Sequence, residues 1–225
     1  MDLIKVRRVI DLSHQVNEGT QVYPGDPAVR LESATTIAAG GVNVLNVHIG
    51  SHSGTHVDAP YHFIEDGERI DTMDVRLFFG PAVVMDVRGK DPRERITVED
   101  LRPYEDRLSE GIVAVLRTGW DEHYGTARYY EHPFLDRRAA QLIVDAGART
   151  VAIDALNVDE TVLEGQQSED YPAHRLILGV GGVIAENLTN LEAVDFPNPF
   201  LSLLPVKLGG SDGAPVRAVA LSMAP

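Results

Sequence analysis

The sequence predicts a mixed α/β domain in which strands outnumber helices. Three observations carry this. Eight segments are rich in β-branched residues and bounded by Gly, Pro or Asn, a few stretches carry helix start and stop signals, and the 225 residues are 44% hydrophobic and 24% charged. Such a composition is that of a globular chain able to bury a sizeable core. One domain, residues 1–225, is expected, because no low-complexity linker or charge block interrupts a strand pattern that runs from the first residues to the last.

In chain order, the strand-like segments are VRRVIDLS at 6–13, NVLNVHIG at 43–50, PAVVMDVRG at 81–89 and GIVAVLRTG at 111–119. They continue with RTVAIDALN at 149–157, GVIAENLT at 182–189, FLSLLPVKL at 200–208 and APVRAVALS at 214–222. A helix is predicted over 97–108, where Thr97 opens TVED with capping-box spacing. A second is predicted over 136–146, with Asp136 as cap and Gly147 as stop. A short third helix starts near Pro172, a residue preset for a first helical turn, and ends by Gly179.

Twenty Lys plus Arg face 34 Asp plus Glu, a formal net charge of −14. Such a surface repels phosphate backbones and anionic headgroups, so neither nucleic acid nor a membrane is an expected partner. The N-terminus MDLIKVRRVIDL lacks the apolar stretch of a signal peptide, and the longest apolar run, LILGVGGVIA at 176–185, is too short to span a bilayer. A soluble, cytoplasmic protein is expected. The absence of cysteine excludes disulfides, thiolate metal sites and cysteine nucleophiles, so any metal must be held by His and carboxylate.

Residues 52–62, HSGTHVDAPYH, gather three histidines and an aspartate. On a straight strand His52, His56, Asp58 and His62 would share a face, yet the outer pair would lie roughly 33 Å apart. On a helix His52 and His56 would meet, but Asp58 would point away and Pro60 would break the helix. Gly54 permits a bend and Pro60 fixes a turn, so a folded loop after the strand at 43–50 can converge the set. A lone histidine in such a loop would be read as a plain hydrogen-bonding residue. Three with a carboxylate favour a metal, and these ligands suit zinc, manganese or iron(II). A second cluster lies in YPAHRLILGVGGVIAEN, where a short helix and a return strand, each spanning ~9 Å, permit His174 and Glu186 to end up adjacent.

With both clusters considered, the chain resembles the cyclase-like metal hydrolase family, which includes bacterial kynurenine formamidases and isatin hydrolases. Residues 52–62 match every fixed position of the signature His-x-Gly-Thr-His-x-Asp-x-Pro-x-His. The resemblance extends from VIDLSH at 9–14 through YPGDP at 23–27 to RTGW at 117–120 and AHRLILGVGGVIAENLTNL at 173–191. It implies a swivelling β/β/α fold with a mixed, barrel-like sheet and few helices, in homodimers or homotetramers. It also implies that His52, His56 and Asp58 bind one zinc ion, that Asp58 bridges to a second ion held by His174 and Glu186, and that His62 stays free of metal as the catalytic acid/base.

The implied activity is hydrolysis of N-formylkynurenine to kynurenine and formate. The alternatives are opening of an isatin-type cyclic amide, with manganese in place of zinc, and metal-stabilised binding of a small aromatic ligand without turnover. His62 separates the enzymes from the last of these, since binding alone does not need it. Kynurenine formamidases carry a Trp before the PGD stretch, where this chain has Tyr23. Tyr23 and Trp120 are the candidate aromatic walls for a small aromatic amide. Ser53 and Thr55 hydroxyls, or nearby carbonyls, are candidate acceptors orienting the ligating imidazoles.

His14, His48, His123 and His132 are expected to be hydrogen-bonded or surface residues, and Asp154, Asp159 and Glu160 to form a solvated loop. GVGG at 179–182 precedes a strand where a dinucleotide fingerprint would open a helix, so no nucleotide cofactor is implied.

Overall fold

The computed structural model describes residues 5–163 and 170–224. The chain begins with β1 (Lys5–Asp11), followed by a hairpin of β2 (Arg30–Thr35) and β3 (Val44–His48) that carries the one-turn α1 (Ile37–Gly40). Then come β4 (His56–Asp58), β5 (Phe79–Asp86), β6 (Arg95–Ile96), α2 (Val98–Leu101) and β7 (Val113–Arg117). The second half holds β8 (Phe134–Leu135), α3 (Arg137–Asp145), β9 (Thr150–Ile153), α4 (Pro172–Gly179) and β10 (Val183–Glu186). It closes with β11 (Phe200–Ser202), β12 (Gly213–Pro215) and β13 (Val219–Ala224).

Nine strands form one mixed sheet in the order β1-β13-β11-β5-β7-β9-β10-β4-β12. The centre, β5-β7-β9-β10, is parallel, and every other pairing in the sheet is antiparallel. A bridge between Ser13 and Leu188 joins the chain beyond β1 to the chain beyond β10. That contact brings the chain at the β1 edge of the sheet back to the end of β10.

Of the parallel strands, β7, β9 and β10 are buried on both faces, as their β-branched sequences require. Their period of two divides the interior into two cores. Ala114, Leu116, Val151, Ile153 and Ile184 face Ala140 and Ile143 of α3 and Ile177 of α4. Val113, Val115, Ala152, Val183 and Ala185 face the other way, toward Val57, Leu201, Ala214 and Ala220.

The helix over 136–146 forms as α3, its Asp136 side chain accepting the Ala139 N–H at 2.7 Å. The third helix forms as α4, with Pro172 in its first turn. The single helix expected over 97–108 does not form. Asp100 accepts the Thr97 N–H at 2.7 Å, but after Leu101 the chain tightens into a 3-10 helix over Arg102–Arg107. Pro103 lacks the N–H that an α-helix needs there. The segment at 214–222 divides into β12 and β13, which lie far apart in the sheet. Residues 52–62 are not wholly a loop either, since 56–58 form β4 between β10 and β12. No helix among the described residues is long and apolar enough to cross a membrane.

Gly182, which joins α4 to β10, has no room for a side chain. A Cβ there would lie 2.5 Å from the Arg149 carbonyl oxygen and 2.6 Å from that of Ile177, both backbone atoms. Gly182→Ala is expected to destabilise the fold by about 1–3 kcal/mol, the usual cost of overpacking, read as a fall of several degrees in Tm. An unchanged melt would show that the junction has slack.

Candidate metal centre

The site forms where the parallel sheet meets its antiparallel neighbour. Glu186, the last residue of β10, pairs with His56, and Ile184 pairs with Asp58. Cross-strand partners and alternate residues share a face, so His56, Asp58 and Glu186 all point to the α4 side of the sheet. Gly54 takes a left-handed conformation, φ 66°, which returns His52 over β4. His52 Nδ1 then lies 2.7 Å from Asp58 Oδ1. Beyond β4, the 3-10 turn Pro60–His62 folds back and stacks His62 near His52, with ring centres 4.0 Å apart. His174, third in α4, brings its Nε2 within 3.4 Å of Asp58 Oδ2 and 3.6 Å of Glu186 Oε1.

The hydrogen bonds of this cluster aim imidazole nitrogens at carboxylate oxygens around one point. The Nδ1–H of His56 donates to the Gly54 carbonyl at 2.8 Å, which turns Nε2 toward Asp58 Oδ1 at 3.3 Å and Glu186 Oε2 at 3.7 Å. The Nδ1–H of His174 donates to Asp159 at 2.8 Å, leaving its Nε2 toward the same carboxylates. Asp58 Oδ2 is buried without a hydrogen-bond partner. A buried acceptor without a donor costs about 1–3 kcal/mol or more, and a cation removes that cost. His52, His56 and Asp58 form one group with donor atoms within 4.8 Å of one another, and Asp58, His174 and Glu186 form another. The donor set therefore fits one divalent ion, or two sharing Asp58.

Charge follows the same geometry. Burial opposes protonation of His52, but the Asp58 and Asp212 carboxylates outweigh it and raise its pKa to about 10. His174 also rises to about 10, because its bonds to Asp159 and Asp58 outweigh burial. Burial, aided by the charge of Asp58, lifts Glu186 to about 7. Asp58 stays well below the carboxylate range despite burial, held there by His52 and His174. Without metal, protons occupy the positions that an ion would take.

The group expected to be a solvated loop is mostly buried. Asp159 is 2% exposed and accepts the N–H groups of Ala173 and His174, each at 2.9 Å, so it caps α4 while orienting the His174 ring. Asp154 is fully buried and accepts from the Thr118 N–H and hydroxyl and the Gly119 N–H. Unsatisfied backbone donors at a helix start and a strand end draw both inward. Glu160 alone stays partly exposed, paired with Arg93 at 2.8 Å.

Thr55 donates to the Asn187 carbonyl at 2.6 Å, and Ser53 accepts from the Gly50 N–H at 3.0 Å. They tie the loop down, while the carbonyl of Gly54 orients His56. His14 stacks on Tyr124, His132 bonds Thr161 at 2.7 Å, and neither joins the cluster.

A cavity of about 200 Å³ opens over the cluster, with Tyr23, Phe63, Tyr171, Asn157 and Asn187 in its wall. The Tyr23 hydroxyl lies 3.0 Å from that of Tyr171 and accepts the Val162 N–H at 3.0 Å. Trp120 is not in this wall. Its ring is buried in the helix-side core, with the indole N–H donating to the Arg128 carbonyl at 3.2 Å. The large apolar ring finds more burial there than beside a charged cluster. Phe63, Tyr171 and Asp212 were not singled out in the sequence. Phe63 directly follows His62, and Tyr171 directly precedes Pro172, adjacency that would have marked both. Asp212 reaches His52 Nε2 at 3.0 Å from a distant segment, and no local pattern flags it.

Residues 10–160 match the model of the cyclase family, described as "Putative cyclase". A kynurenine formamidase from Bacillus cytotoxicus is 32% identical over 220 residues, which cover 96% of this chain and 98% of that one. Isatin hydrolase A from Labrenzia aggregata, solved bound to benzyl benzoate, superposes with a TM-score of 0.86 at 26% identity, covering 97% of this chain and 93% of the other. A structure described as a potential metal-dependent hydrolase with cyclase activity superposes with a TM-score of 0.78 at 27% identity, covering 99% of this chain and all of the other.

Metal uptake by chelator-stripped protein is expected to release protons. The pKa values of His52 and His174 are raised, so at pH 8 both imidazoles carry a proton that an entering ion displaces, about two per fully loaded chain. Below about pH 7 Glu186 also takes a proton, and apparent affinity should fall further as pH drops. Zn²⁺ titration calorimetry in buffers of different ionisation enthalpy measures this. Binding without proton release would contradict the assigned charge states.

Proposed function

The chain belongs to the cyclase family, and on that premise we propose that it is a metal-dependent amidohydrolase releasing formate from an N-formyl aryl amine, with N-formylkynurenine as substrate. What carries the reading is Asp58, a buried carboxylate shared by the His52–His56 pair on one side and His174 with Glu186 on the other, beside His62, which lies outside both of those groups, is grouped with His52 and Asp212, and faces an open cavity. Near full-length similarity to kynurenine formamidases supports the choice of substrate.

In this reading His52, His56 and Asp58 would hold one zinc ion, and Asp58, His174 and Glu186 would hold a second. A divalent ion bound there would supply an acidified water and a Lewis acid for the amide carbonyl. The chain's own residues do the rest. Tyr23, Phe63 and Tyr171 hold the aryl ring against the cavity wall. His62 takes the proton of the attacking water and returns it to the departing aryl nitrogen as the C–N bond breaks, so formate and the free amine leave. Asp159 fixes the His174 ring, and Gly54 fixes the His56 ring, so neither imidazole has to reorganise during turnover.

A second reading is hydrolytic opening of a cyclic amide of the isatin type, with manganese as the ion. The compact cavity with three aromatic walls favours it, because a fused bicyclic ring fits such a space. Turnover of both substrates by stripped protein reloaded with Zn²⁺ or Mn²⁺ separates the two. His62→Ala is expected to lower kcat about 10²- to 10⁴-fold with metal content retained. Full activity in that variant would remove His62 from the mechanism.

The protein also works as a homodimer in this reading. The β2–β3 hairpin exposes Val44, Leu45 and Val47, and a two-stranded ribbon with exposed apolar faces is marginal alone. Light scattering should give a dimer, and a monomer with Val44→Lys and Val47→Lys together. A monomeric wild-type protein at micromolar concentration would refute this.

A further inference from the structure

We propose that Asp212 is a positioning residue for catalysis, holding the His62 imidazole in the orientation and tautomer that present Nε2 to the substrate. The proposal rests on the reading of His62 as the acid/base.

Asp212 lies just before β12, far in sequence from both histidine clusters, yet its Oδ2 sits 3.0 Å from His52 Nε2 and 3.4 Å from His62 Nδ1. One carboxylate oxygen thus spans two rings whose centres are 4.0 Å apart. The placement is built into the backbone. The Ala59 N–H donates to the Asp212 carbonyl at 2.8 Å, and the Ile70 N–H donates to the Ser211 carbonyl at 3.1 Å. The Ser211 hydroxyl donates to the Gly213 carbonyl at 2.7 Å, which closes the turn from within.

Gly213 completes the fit. A Cβ at that position would lie 2.7 Å from His52 Cε1 and 2.8 Å from the Val57 carbonyl oxygen, so only glycine lets this segment approach the ring closely. The segment therefore carries Asp212 to the edge of the imidazoles by a contact that no other residue at 213 would allow.

The chemistry follows from which nitrogen each ring offers. His52 turns Nδ1 to Asp58 at 2.7 Å and Nε2 to Asp212, so its two nitrogens have separate tasks. His62 has only its Nδ1 near this carboxylate. At 3.4 Å the pair is a close contact, and a carboxylate there favours the tautomer with the proton on Nδ1, which leaves Nε2 to take a proton in the cavity. Without Asp212 both tautomers and a wider range of ring orientations become available, and the fraction of His62 ready to act falls.

The test uses metal-loaded, full-length Asp212→Ala and Asp212→Asn, each made with His62 intact and in a His62→Ala background. Metal content, melting temperature, kcat and KM are measured on N-formylkynurenine and isatin. The expected result is unchanged metal stoichiometry, KM within about twofold, and kcat lowered on the order of 10- to 100-fold by Asp212→Ala, the usual effect of losing an orienting partner. Asp212→Asn keeps an acceptor oxygen and should recover part of that loss. In the His62→Ala background neither substitution should lower kcat further, because residues that act as a unit are not additive. An equal loss in both backgrounds would overturn the proposal, as would loss of metal, which would place the action of Asp212 at the metal or at His52 rather than at His62. Should Asp212→Ala fail to fold, the Asp212→Asn comparison decides by the same criterion. Full activity of His62→Ala alone would instead remove the reading on which the proposal rests, a failure distinct from additive losses at Asp212.

Discussion

A carboxylate buried to zero exposure must be compensated by opposite charge, because desolvating an uncompensated ion costs several kcal/mol even after the protein relaxes. Asp58 is such a group. One of its oxygens is met by His52 and His56, and the other faces His174. The strand order around it serves this requirement, since β4 is inserted between β10 and β12, where His174 of α4 reaches Asp58 at 3.4 Å. The turn at Gly54 and the 3-10 turn at Pro60 then bring His52 and His62 back over the same point.

The sheet changes direction at this seam, and that change makes the site possible. β9 and β10 run parallel, so the segments leaving their C-terminal ends emerge on one side and supply Asn157, Asp159 and Asn187. β4 runs antiparallel to β10, so its first residue, His56, pairs with the last of β10, Glu186. Crevices at the carboxyl ends of parallel strands are common ligand sites in α/β proteins for this reason. Here the crevice is completed by α4, whose start is fixed by a carboxylate that also orients His174. Capping and orientation of the His174 ring are one interaction, so the helix cannot shift without moving the imidazole.

Much of this was legible in the sequence. The parallel strands declared themselves as β-branched runs because both faces are buried, and α3 and α4 because Asp136 and Pro172 are local signals with local causes. The cluster at 52–62 was legible because three histidines and an aspartate at that spacing have few other uses. Pro103 was on the page as well, but a capping box before it read as the start of a longer helix than the backbone permits. The short β4 was hidden because Gly and Pro flank three residues, and a strand of that length is sustained only by its neighbours.

The sequence by itself determined the chemistry available: imidazoles and carboxylates without thiols, an acidic surface, and two clusters able to meet. Tertiary structure alone decided which groups attend them. Asp159 and Asp212 look like ordinary loop acids in the sequence, and only folding places one against His174 and the other against His52 and His62. Trp120 went to the core and Tyr171 to the cavity wall for the same reason. The spacing of His and Asp within 52–62 is a local property of the chain, whereas the contacts around that cluster depend on which distant segments pack together, and residue type alone does not encode that.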